Sequence, residues 1–143
     1  MPYYYLDDYA IADIAFEATG ATLEEVFESA ADAVMNAMVE NLEEIQPAVT
    51  HIVEIEDSEL DLLLFRFLQE FVYFKDADRL LLKVNEMEIE NFDGGHRIRA
   101  SLQGETLDES RHQQRVDVKA ITLHKFCLEK TDDEWRAQVL LDV

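Results

Sequence analysis

Cationic side chains are scarce in this sequence: 12 lysines and arginines stand against 32 aspartates and glutamates, for a formal net charge of −20. No cluster of basic residues is present, and phosphate contacts need one, which argues against independent nucleic-acid binding, so any role in RNA chemistry has to run through a partner. Cysteine occurs once. Cys127 therefore closes no internal disulfide, and within Phe126-Cys127-Leu128 it reads as a small buried apolar residue, not a nucleophile. No apolar run approaches the roughly 20 residues that span a bilayer. Met1-Pro2-Tyr3-Tyr4-Tyr5 has neither the basic start nor the apolar stretch of a secretion signal, so the expected location is cytoplasmic, with no membrane partner. There is also no glycine-rich phosphate loop, no low-complexity segment and no long linker, which leaves a single domain over residues 1–143.

What the chain does have is 48% apolar residues in strong periodic patterns, which excludes intrinsic disorder despite the charge. The acids are spread from end to end and arginine outnumbers lysine. A domain at this charge repels itself in dilute buffer, and salt relieves that repulsion, so the composition suits a halophile's salty cytoplasm.

The patterning predicts two helices among strands. Ile11 to Ala18 alternates as a strand that ends at Thr19-Gly20. Thr22, with Glu25 three residues on, has the spacing of a capping box, and Val26, Phe27, Ala30, Val34, Ala37 and Met38 then form one apolar face. Val49, His51, Val53 and Ile55 alternate as a strand. A second helix, capped at Asp57 or Ser58, carries an apolar stripe at Leu60, Leu63, Leu64, Phe67, Leu68, Phe71 and Val72. Leu80 to Glu90 and Arg97 to Leu102 read as strands around an Asp93-Gly94-Gly95 turn. Gly104 to Arg115 reads as a polar loop, and Val118 to Leu128 carries both helical and strand character. Thr131-Asp132-Asp133 turns into a last strand, and Tyr3 to Tyr5 reads as a strand or a partner contact. The order indicates an α+β domain with two helices packed on an antiparallel or mixed β-sheet.

Three stretches bear on chemistry. Asp13 interrupts the apolar run Ala12-Asp13-Ile14-Ala15-Phe16, where an acid is costly to bury without a partner. Asp117-Val118-Lys119-Ala120-Ile121-Thr122-Leu123-His124 sets an ammonium, a hydroxyl and an imidazole in an apolar segment. The last residues, Leu140-Leu141-Asp142-Val143, follow Trp135, Ala137 and Val139 at period two, so they read as a docked strand that sets the Asp142 side chain beside a main-chain carboxylate. Such a cluster suits a hard cation, and it equally fits an ordinary strand with one solvated acid. Lys119 either reaches that site or phosphate, or pairs with Asp117, Asp13 or the terminus; His124 reads as a satisfied core or edge histidine.

Taken in order, these pieces resemble the archease family over the whole chain. The resemblance rests on Ala12-Asp13-Ile14, the helix Thr22 to Ala31, the leucine-rich helix Leu62 to Phe74, Gly104-Glu105, His112, Val118 to His124, and the Leu-Asp ending with a β-branched last residue. It departs at Ala10-Ile11, where archeases commonly have His-Thr, which points to a less polar surround for the site. The resemblance implies a fold in which one strand-helix-strand-strand unit is inserted into another. It also implies a divalent cation held by Asp13, Asp142 and Val143; an all-oxygen donor set suits Ca²⁺ first, with Mg²⁺ or Mn²⁺ as alternatives. Further, it implies a non-catalytic accessory protein of an RtcB-type RNA ligase in tRNA splicing, which promotes the ligase's GTP-dependent guanylylation and multiple turnover. Two other readings stay open at this point: a free-standing divalent-metal-dependent hydrolase with His124 as base, and a general protein-binding or chaperone-like module.

Overall fold

The computed structural model describes residues 2–6 and 13–143. In chain order the elements are β1 (Tyr3–Leu6), β2 (Asp13–Gly20), α1 (Leu23–Met38), β3 (Val49–Asp57), α2 (Leu60–Asp78), β4 (Leu80–Phe92), β5 (Gly95–Thr106), β6 (Ala120–Lys130) and β7 (Trp135–Asp142). The strands form two sheets where one was expected: β1-β2-β7-β6 and β3-β5-β4, with every neighbouring pair antiparallel. The second sheet and α2 form a strand-helix-strand-strand unit that interrupts the first, between α1 and β6. β2 and β7, far apart in sequence, become neighbours as a result.

Both helices touch both sheets, α1 against β2, β7 and β4, and α2 against β3, β4, β5 and β6. Helix α1 starts as its sequence dictates. The Thr22 side chain accepts from the Glu25 amide at 3.1 Å, and the Glu25 carboxylate reaches back to the Ala21 amide at 2.7 Å, one residue before the one a capping box ordinarily serves. Helix α2 starts later than predicted, because Asp57 spends its carboxylate on the Glu59 amide and Glu59 becomes the cap residue without a side-chain bond. The apolar stripes of the two helices meet at Phe27 and Phe67, and Phe67 packs edge-on to Phe71 with ring centres 5.2 Å apart. Phe16, Leu81, Leu82, Ile98 and Leu102 close this core from the sheets.

Two segments differ from their sequence reading. β5 runs through Gly104-Glu105-Thr106, so the polar loop begins only at Leu107; Gly104 is there because a β-carbon on it would lie 1.7 Å from the Leu81 carbonyl oxygen of β4. Val118 to Leu128 resolves into the approach to β6 and most of that strand, whose register against β7 breaks between Thr122 and Cys127, with Lys125 in the left-handed region. Cys127 is exposed, not buried. Phe126 and Leu128 turn toward the core, so the residue between them points out beside Gln138. The start of the predicted first strand and the Ala10-Ile11 departure lie outside the described residues.

Candidate metal centre

Side chains alternate along a strand, so Asp13, Ala15 and Glu17 share one face of β2 while Ile14, Phe16 and Ala18 turn to the core. β7 obeys the same rule, with Leu141 and Val139 inward and Asp142, Leu140 and Gln138 outward. The antiparallel register then sets Asp13 directly opposite Asp142, and Ala15 opposite Leu140. Directly opposed residues on neighbouring strands hold their β-carbons about 5 Å apart, and like charges so placed destabilise the pair unless something offsets them. On the other side of β7, Ala120 of β6 faces Asp142 and Thr122 faces Leu140. Two half-buried carboxylates thus sit at one end of the four-stranded sheet, on the face turned away from the helices.

The row next to them is apolar and buried. Ala15 and Leu140, the next row in, are 0% and 2% exposed although neither belongs to the helix-facing core. In that row the Thr122 hydroxyl oxygen is buried with no hydrogen-bond partner among the described residues. Val143 packs its side chain against the core, which holds its main chain beside Asp142. The Lys119 amide donates to the Asp142 carbonyl at 2.7 Å, tying the approach to β6 to the same place.

The two aspartate side chains with main-chain oxygen at Val143 make a donor set that fits a hard cation, with the unpartnered Thr122 oxygen one row further in and no soft ligand beside them among the described residues. Among the described residues no three His, Cys, Asp or Glu side chains converge. The other residues singled out in the sequence fall elsewhere. Lys119 has an exposed side chain, and Asp117 pairs with Lys75 of α2 instead of with it. His124 is exposed where the β6 register breaks.

His112 is 3% exposed and belongs to a separate cluster. Its Nδ1 accepts from the Asp108 amide at 2.8 Å, which leaves Nε2 to donate to Glu105 at 2.9 Å. Glu105 also accepts from Arg111 and from the Gln46 amide at 2.8 Å. The Arg111 guanidinium is the main reason its carboxyl is pulled down to about 2, with the Gln46 amide and His112 adding to the effect against a burial penalty. This cluster fastens the loop after β5 to the segment before β3. Sequence reasoning singled out Glu105 and His112 only through resemblance and missed Arg111, Asp108 and Lys75, which look like ordinary surface charges until the loop is folded.

Fold and site together define a class: a small α+β protein in which one strand-helix-strand-strand unit interrupts another, with a pair of carboxylates where β2 and β7 meet. The model of the archease protein family (MTH1598/TM1083) matches residues 3–143. Protein archease of Archaeoglobus fulgidus is 39% identical over the full length of both chains, and that of Pyrococcus abyssi is 35% identical over 92% of this chain and 93% of its own. The solution structure of Methanobacterium thermoautotrophicum protein 1598 superposes with a TM-score of 0.85 at 31% identity, covering 99% of each chain. A Thermotoga maritima crystal structure, described as an archease and possible chaperone, shares the fold with a TM-score of 0.63 at 16% identity, over 94% of this chain and 93% of its own. The chain belongs to the archease family.

Proposed function

We propose that this protein is a metal-binding, non-catalytic accessory protein of an RtcB-type RNA ligase, acting in the cytoplasm to promote the ligase's GTP-dependent guanylylation and repeated turnover in tRNA splicing. The observation that carries the reading, within a chain of this family, is the register that sets Asp13 opposite Asp142. Asp13, Asp142 and Val143 hold the cation, Ca²⁺ first and Mg²⁺ or Mn²⁺ as alternatives. When bound, a hard divalent ion offsets negative charge on a nucleoside triphosphate. The chain's own part is to hold two half-buried like charges opposite one another at a sheet end, beside the buried Ala15 and Leu140. RNA is engaged only through the ligase, a reading that the net charge of −20 supports.

A hydrolase would need a base at the site. His124 is exposed beyond the register break, and His112 spends both ring nitrogens on Asp108 and Glu105, so neither histidine supplies one. The test is ligase guanylylation by GTP with wild-type protein, Asp142→Ala, and a variant carrying one residue added after Val143. Wild type is expected to stimulate and both variants to lose most of the effect; undiminished stimulation by both removes the metal role. Chelation separates the alternatives, since a hydrolase would lose intrinsic turnover and a simple binding module would lose nothing.

A further inference from the structure

The segment Asp117–Ile121 runs beside Asp142, and α2 grips it at two points. The Gln69 side-chain oxygen accepts from the Ile121 amide at 3.0 Å. β6 is an edge strand, and Gln69 gives this amide a partner on a neighbouring helix. Six residues further along α2, the Lys75 ammonium lies 11% exposed between Asp117 and Asp76 and donates to the Val118 carbonyl at 3.1 Å. Burial alone would lower its pKa, yet the two carboxylates together raise it, so the ammonium stays charged. Between these grips Val118 and Ile121 are buried in the core, and the Lys119 amide bonds to the Asp142 carbonyl. The main chain that Asp142 rests on is therefore held from the helix side, not by its own sheet alone.

We infer that Gln69 and Lys75 are positioning residues for the cation site: they fix the 117–121 main chain, and through it the Asp142 main chain, so that the Asp142 carboxylate keeps its place opposite Asp13. This rests on the cation site proposed above. Neither residue touches the site. Outer residues that orient metal ligands commonly carry a tenfold or larger share of affinity, which sets the size of the effect to look for.

Calorimetric titration with Ca²⁺ alone tests it on the full chain. Gln69→Met keeps the length of the side chain and removes the acceptor; Lys75→Met removes the ammonium and leaves Asp117 in solvent, so no charge is stranded in the core. Each is expected to weaken Ca²⁺ binding about tenfold, and Lys75→Arg is expected to restore it. A purely structural role would lower the melting temperature without ion and leave the affinity of the folded protein unchanged, and that result overturns the inference. Amide exchange on wild type needs no variant: Ca²⁺ should slow exchange at Lys119 and Ile121, and unchanged rates in a protein that binds the ion also overturn it. Absence of Ca²⁺ binding by wild type would instead overturn the cation site itself, and this inference with it.

Discussion

Asp32 carries the clearest conflict between a residue and its place. It lies on α1 with its carboxyl pushed up to about 6, first by burial and then by Glu28, with Lys83 offsetting part of the effect. The folded chain therefore binds this proton more tightly than the unfolded chain, whose value is near 3.8. Stability from this group falls as pH rises from about 4 through about 6, and it stays lost above that. Asp32→Asn is expected to stabilise the protein by about 1–2 kcal/mol at pH 8 and by nothing at pH 4, read from urea unfolding at both pH values. Glu105 behaves in the opposite sense. Its contribution is present above its ordinary range and fades as pH falls toward 2, so the loop it fastens loosens in acid while Asp32 is relieved.

Among the elements, the contact between β4 and β5 is the least forgiving. A β-carbon on Gly104 would lie 1.7 Å from the Leu81 carbonyl oxygen, and both strands are pinned by the core residues Leu81, Leu82 and Leu102. Gly104→Ala must push β4 away from β5 and is expected to cost about 2–3 kcal/mol, measured by chemical denaturation. The glycine was visible in the sequence, but its reason was not, because nothing local to Gly104 says that a strand some twenty residues earlier passes so near. The helices are the reverse case. Thr22 and Glu25 announce the start of α1, and the stripe from Leu63 to Val72 announces the buried face of α2, since helix capping and periodicity depend on residues only a few positions apart. The segment 118–128 stayed ambiguous because its strand character depends on β7 lying beside it, and Cys127 was misread for the same reason: its exposure follows from which face of β6 the core claims.

At the scale of the whole molecule the excess of negative charge sets the response to salt. Ion pairs on the outer face of the second sheet, Arg97 with Glu56 and Arg99 with Glu54, use part of the small stock of cations but leave most carboxylates facing their own kind. The melting temperature is expected to rise steadily between dilute buffer and molar potassium chloride, well beyond the point where a neutral protein levels off. A flat or falling melting temperature over that range would show that the repulsion is already met by local pairing, and would argue against a halophilic origin.

The sequence by itself determined the two helices, the turn at Gly94-Gly95 and the acidic character, because each is written in nearby residues or in composition, and it marked Asp13 and Asp142 as carboxylates set in apolar strands. Only the tertiary structure decided that there are two sheets and that β2 lies against β7 in the one register that faces Asp13 with Asp142. It also decided that α2 holds the 117–121 segment from behind. These are pairings between residues tens to more than a hundred positions apart, and the free energy that selects them comes from closing a shared core, which no local window of sequence contains.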